Sequence, residues 1–189
     1  LLLTNDKLNP NICRTYENEY IEKTPALYIS ILNENLEMVK ILTQNEKVDI
    51  NQFNIYKIKN EECYKYDVEQ TALYLAVDKG NIDIIKYLLA NDKLDINLLN
   101  KKFDIRNFEE TTIYEKTAFY LAVSRENLEL VKLFLTDDRT DINILNKIEF
   151  IRNMYDASKW EDLGVIDIRE LTALYFAVST ENLELVKLL

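Results

Sequence analysis

At 189 residues, with 48% hydrophobic and 30% charged side chains, the chain is long enough to bury a continuous core, yet no uninterrupted apolar run approaches the roughly 20 residues a membrane-spanning helix needs. Its formal net charge of −10, from 33 acids against 23 bases, argues against DNA or RNA as a partner: nucleic-acid affinity rests on neutralised phosphates, and Lys57, Lys59, Lys101 and Lys102 form no dominant basic stripe. There is no histidine, which removes Ser-His-Asp and Cys-His arrangements, histidine-bearing zinc sites and the commonest general base near neutral pH.

The chain opens on Leu2 to Asn11, a stretch that aligns with Leu88 to Asn97, so it begins inside a repeated unit. Four in-register segments follow: Leu27-Tyr28-Ile29-Ser30, Leu73-Tyr74-Leu75-Ala76, Phe119-Tyr120-Leu121-Ala122 and Leu174-Tyr175-Phe176-Ala177, at steps of 46, 46 and 55 positions. The triplets Asp49-Ile50-Asn51, Asp95-Ile96-Asn97 and Asp141-Ile142-Asn143 repeat the same 46-residue step. The implied division is a partial repeat with a hairpin over 1–24, repeats over 25–70, 71–116 and 117–171, and a partial repeat over 172–189. Such an array builds function from a long surface rather than from a catalytic pocket.

Within one repeat two short helices are predicted. The first runs from Thr71 to about Lys79, with Leu73, Leu75, Ala76 and Val77 apolar; the second runs from Asn81 to about Ala90, with Ile84, Ile85, Leu88 and Leu89 at helical spacing. Neither is stable alone at this length, so each pair must bury its apolar face on its neighbours. Thr71 and Asn81 suit N-cap positions, and Asp83 complements the second helix dipole; Asn35 with Glu37, Asn127 with Glu129 and Asn182 with Glu184 repeat the logic. The small residues Ala76, Ala122 and Ala177 permit close helix approach. In the first full repeat, Thr24-Pro25 predicts a helix starting one residue early, capped by Thr24 with Pro25 at the first helical position.

Between triplet and next helix lie 20 positions from Asn97 to Thr117 and 29 from Asn143 to Thr172. Asn97 to Arg106 and Thr112 to Lys116 are rich in Ile, Phe, Thr and Tyr, and Asn143 to Ile151 pairs with Val165 to Arg169, so these segments are predicted as lengthened β-hairpins. With two glycines and two prolines in the whole chain, linkers and low-complexity tracts are not expected.

The run Thr71-Ala72-Leu73-Tyr74-Leu75-Ala76-Val77-Asp78-Lys79-Gly80-Asn81-Ile82-Asp83-Ile84-Ile85-Lys86-Tyr87-Leu88-Leu89 resembles the ankyrin-repeat motif, and Asp95-Ile96-Asn97 resembles that family's closing triplet. The resemblance implies a mainly α, ankyrin-type helix-turn-helix solenoid, here with enlarged β-hairpin fingers, because family repeats are about 33 residues long. Two departures stand out. The motif histidine is Tyr28, Tyr74, Tyr120 and Tyr175, whose single oxygen must give a different loop network. The motif glycine is kept at Gly80 but is Glu34, Glu126 and Glu181 elsewhere, at about 1 kcal/mol each if φ is positive there.

The function that follows is a non-catalytic protein-interaction or scaffold module, intracellular and cytoplasmic, with a protein partner, no cofactor, no metal, no nucleic acid and no membrane. Two alternatives stay open: a structural spacer or self-assembling array, and an accessory domain of an enzyme encoded outside this segment. Cys13 and Cys63 stand at unlike offsets and read as unreactive thiols, which fits an intracellular setting. Gly80 and Gly164 are too few for a phosphate loop, and Glu61-Glu62, Glu109-Glu110 and Asp137-Asp138 read as solvated turn residues.

Two sets of candidate binding residues remain. One is the finger aromatics, which serve either recognition or packing between fingers: Phe53, Tyr56, Tyr64 and Tyr66, then Phe103, Phe108 and Tyr114, then Phe150, Tyr155 and Trp160, with Trp160 the preferred exposed anchor. The other follows from the family register, which places Leu32 and Asn33, Asp78 and Lys79, Ser124 and Arg125, and Ser179 and Thr180 on the concave face, where they vary while their neighbours do not. Finally, Leu174, Phe176, Ala177, Val178, Leu185, Val186 and Leu188 keep the interior pattern to the last residue; this predicts an exposed apolar end and weak end-to-end self-association, with Leu185 as a probe position.

Overall fold

The computed structural model describes residues 9–12, 14–16, 20–59, 65–107, 110–152 and 164–189. In chain order the elements are β1 (Arg14–Tyr16), β2 (Tyr20–Thr24), α1 (Ala26–Leu32), α2 (Leu36–Thr43), β3 (Asn54–Lys59), β4 (Lys65–Gln70), α3 (Ala72–Lys79), α4 (Ile82–Leu89), β5 (Asn100–Asn107), β6 (Glu110–Lys116), α5 (Ala118–Ser124), α6 (Leu128–Leu135), β7 (Asn146–Arg152), β8 (Gly164–Leu171), α7 (Ala173–Ser179) and α8 (Leu183–Leu188). The first helices α1, α3, α5 and α7 pack in that order, and the second helices stack behind them. This is the expected helix-turn-helix solenoid.

Local chemistry sets each helix boundary. The Thr71, Thr117 and Thr172 hydroxyls accept from the backbone N–H three residues on, opening α3, α5 and α7, and the Asn35, Asn81, Asn127 and Asn182 side chains do the same for the second helices. Each cap satisfies an amide that the helix itself leaves unpaired. Between the paired helices the chain turns through the left-handed region at Gly80 (φ 72°), and also at Glu34, Glu126 and Glu181 (φ 52°, 55° and 54°). The predicted penalty is therefore present at three corners, and at two of them the carboxylate makes a contact: Glu34 accepts from the Asn81 amide at 3.4 Å and Glu126 from the Asn182 amide at 2.9 Å. Ala76, Ala122 and Ala177 are fully buried between stacked helices, among Leu73, Val77, Ile84, Ile85, Val123, Leu130 and Phe134.

The sheet is larger than a mainly α reading allows. All eight strands pair antiparallel in sequence order, and the hairpins carry nearly as many residues as the helices. The reason is that a lone finger has two open edges, and stacking the repeats brings neighbouring edges within pairing distance. The fingers join at β2–β3, β4–β5 and β6–β7; the last seam runs from Glu110↔Arg152 to Glu115↔Lys147, while β4 and β5 meet at Glu69↔Lys101.

One helix start departs from expectation. α1 begins at Ala26, in the same register as the others, so Pro25 occupies the N-cap and Thr24 closes β2 instead of capping. Pro25 has no side-chain oxygen to cap with, and its carbonyl accepts the first helical bond from Ile29 N at 3.2 Å. Repeat stacking fixes the start even where the capping residue is missing.

Side-chain amides stitch consecutive repeats. Asn11, Asn51 and Asn97 each donate to a backbone carbonyl of the next unit (Lys47, Lys93 and Arg139; 2.6, 2.8 and 2.8 Å) and accept from its triplet amide (Asp49, Asp95 and Asp141; 2.7, 2.8 and 3.0 Å). Arg139 reaches back to the carbonyls of Leu89 and Asn91 at the end of α4, while Asp137 holds its guanidinium and is itself kept below the usual carboxylate range by that bond. Of the motif tyrosines, Tyr28 donates to Gln70 Oε1 at the far end of its own repeat at 2.9 Å, and Tyr120 packs edge-on against Phe176 of the next repeat at 5.8 Å.

Candidate functional site

The C-terminal ends of α1, α3, α5 and α7 present the predicted concave-face residues. Asp78 and Arg125 are brought together across a repeat boundary: Arg125 Nη2 lies 2.5 Å from Asp78 Oδ1, and Nη1 donates to the Asp78 carbonyl at 2.6 Å. Lys79 stands exposed beside them. Ser124, Ser179 and Thr180 each donate to carbonyls of their own helix, at 3.0, 2.9 and 3.0 Å, which leaves their oxygens as acceptors. Leu32 and Asn33 are exposed.

Tyr56 is a residue of β3 opposite Val68; its side chain, and the whole of Tyr64, Phe108, Tyr155 and Trp160, lie outside the described part of the structure. So do Cys13, Cys63 and the Glu61-Glu62 pair. The side chains of Tyr66 and Phe103 also lie outside that part, Phe53 is half-buried just before β3, and two further finger aromatics have placed contacts. Tyr114 and Phe150 are half-buried on one side of the sheet, Tyr114 beneath Lys116 Nζ at 4.4 Å and Phe150 beneath the Arg169 guanidinium at 5.1 Å.

Strand alternation separates the two sides of the sheet. One side turns toward the first helices, as the Tyr28–Gln70 bond and the 5.4 Å approach of Lys116 to the Tyr120 ring show. It carries Val68, Lys102, Tyr114, Ile148 and Arg169 as one row. The opposite side carries Glu69, Lys101, Glu115, Lys147 and Glu170, a row whose charges alternate strand by strand, with Lys101 and Glu115 at 3.8 Å and Lys147 also paired to Glu149.

The helix-facing row was not singled out in the sequence apart from Tyr114 and Phe150. The signal was there: Lys102 lies two residues beyond Asn100, and Lys116 two beyond Tyr114, the spacing of one strand face. Burial, then Lys102 and Arg125, push the Lys116 amine down to about 8. Burial raises Tyr120 to about 12; Tyr74 is raised to about 12 first by burial and then by Asp78, against an opposing contribution from Arg125.

Chemically the surface offers hydroxyl acceptors, cations and half-buried apolar side chains. Among the described residues no group of three or more Cys, Asp or Glu side chains is placed to hold a metal, and no helix is long and apolar enough to cross a membrane. On α7 and α8, Leu174, Tyr175, Val178 and Leu183 are 48%, 60%, 57% and 63% exposed. Leu185 is fully buried instead, so it belongs to the core and cannot probe that end.

No curated protein matches the chain. The family model described as Ankyrin repeats (3 copies) matches it over residues 1–100 and again over 56–148. With the capped helix pairs, the closing triplets and the stacked fingers all in that register, the chain belongs to the ankyrin-repeat family.

Proposed function

We propose that this chain is a non-catalytic interaction module that docks a partner protein on its inner surface, formed by the ends of the first helices and the helix-facing side of the fingers. The repeats it uses divide at 25–70, 71–116 and 117–171. The observation that carries the reading is the stitching of the first three repeat boundaries by Asn11, Asn51 and Asn97. These bonds hold side chains of separate repeats in one preorganised surface, which lowers the ordering cost of binding. On that surface the equivalent positions Leu32, Asp78, Ser124 and Ser179 hold three residue types, while the position before each stays Ile or Val.

Quantitative capture with the immobilised chain tests this. Proteins retained by the native chain should be lost from a Lys79→Glu/Thr180→Arg variant that keeps the native circular dichroism. An unchanged set of captured proteins would remove the inner surface as the binding site. Purified chain should show no turnover on hydrolase, transferase or phosphatase substrates; an activity abolished by one point substitution would end the non-catalytic reading.

A further inference from the structure

The helix-facing side of the third and fourth fingers carries a charge arrangement unlike that of its reverse side. On the reverse side, lysines and glutamates alternate, so each cation faces an acid. On the helix-facing side, Lys102 and Lys116 share a face, and among the described residues no carboxylate pairs with either. Arg125, the third cation close enough to act on Lys116, is already held by Asp78. Lys116 is moreover drawn in over the Tyr114 and Tyr120 rings, partly out of water. A desolvated ammonium beside a like charge is unfavourable, and an incoming anion relieves both terms at once.

The surroundings select the anion. Tyr114 and Ile148 lie half-buried in the same row as Lys102, and Phe150, half-buried beneath Arg169, follows two residues further along β7 on the same face; together they offer apolar contact that a bare phosphate could not use. The net charge of −10 repels an extended polyphosphate backbone but tolerates a short acidic stretch meeting a local cationic spot.

We propose that Lys102 and Lys116, with Tyr114, Ile148 and Phe150 beside them, form the docking site for an acidic segment of the partner protein, carboxylates on the two lysines and an apolar side chain on the aromatic shelf. This deepens the interaction-module reading and rests on it.

Selection of a random displayed-peptide library on the full chain tests the site, followed by affinity measurement of the recovered peptides. The expected result is enrichment of Asp or Glu next to an aliphatic or aromatic residue. Binding should fall about tenfold or more in Lys116→Gln and in Lys102→Gln, and stay unchanged in Lys132→Gln on the exposed side of α6. A bound peptide should also raise the titration midpoint of the Lys116 amine from its free value of about 8, followed by NMR. Acidic peptides indifferent to both lysine variants would overturn the proposal, as would recovery of no peptide. Neutral or basic peptides lost on Lys79→Glu would overturn it too while leaving the interaction-module reading intact. Single-stranded RNA binding with the same lysine dependence would replace the peptide by a nucleic acid.

Discussion

Asn54, Asn100 and Asn146 stand at the same position of three successive finger bases and are all buried, at 7%, 1% and 2% exposure, yet their carbonyls meet different fates. Asn100 Oδ1 accepts from Thr71 N at 2.6 Å, and Asn146 Oδ1 accepts from Thr117 N at 2.8 Å. The residue that should serve Asn54 is Pro25, which has no N–H, and among the described residues Asn54 Oδ1 has no donor at all. One substitution thus removes a helix cap and orphans a buried acceptor some thirty residues away. The first repeat folds like the others because its neighbour holds it there, at the cost of an unsatisfied polar atom.

The largest expected effect tests the stack that both kinds of corner lean on. Ala122→Asp places an unpaired charge between α5 and its neighbours, where the methyl is fully buried, and should cost about 4 kcal/mol or more. Lys79→Ala at the exposed surface should stay within about 0.5 kcal/mol. Equal urea midpoints for the two would refute stacking as the source of stability.

The comparison itself is broken next. Asn146→Ala strands the Thr117 amide and removes bonds from Asn146 Nδ2 to Ile144 O and Leu171 O, so a loss of about 2–3 kcal/mol is expected. Asn54→Ala deletes a carbonyl that has no donor, and should cost less by at least about 1 kcal/mol. Identical losses in chemical denaturation would mean that the two asparagines are equivalent after all. The converse change, Pro25→Thr, supplies both a capping hydroxyl and the missing N–H. Against the lost rigidity of proline it should stabilise by about 1 kcal/mol, and a lower midpoint would show that α1 does not accept the common corner.

The smallest effect is read against pH. Below about 8, folded and unfolded chains both hold the Lys116 proton, and the full penalty of burying that cation is present. From about 8 up to the ordinary lysine value of 10.5 the folded chain binds fewer protons, so this group makes stability rise with pH. Tyr74 and Tyr120 act oppositely: from 10.0 to about 12 the folded chain keeps phenolic protons that the unfolded chain releases, and stability falls. Urea midpoints should therefore rise from about pH 8 toward 10 and then decline, and Lys116→Met should flatten the rise alone. A rise that persists in Lys116→Met would assign it to another group.

The elements were legible because each is set by neighbours in sequence. Helix pairs, the Asn caps, the Thr caps other than Thr24, left-handed glutamate corners and hairpins after the triplets appear where expected, since capping oxygens, corner residues and alternation act over three or four positions. The candidate surface was legible only in part. Asp78 and Lys79 were placed beside Ser124 and Arg125 by repeat register, but nothing local indicated that Arg125 spends its guanidinium on Asp78. The Lys102 and Lys116 cluster passed unnoticed in a chain of excess acid, because its members lie fourteen positions apart and meet only when β5 pairs with β6.

What the sequence by itself determined is the repeating unit: period, helix ends, corner conformation and the triplet that closes each repeat follow from short-range chemistry. The tertiary structure decided how the units share their edges. Joining the fingers into one eight-stranded sheet and starting α1 behind a proline depend on repeats placed side by side, while leaving Asn54 unserved and setting two lysines together depend on distant segments of one repeat meeting. The physical reason is range: a cap or a turn is settled within a few residues, whereas an edge strand, a buried amide or a lysine finds its neighbour more than a dozen residues away, once the hairpins have closed and the repeats have stacked.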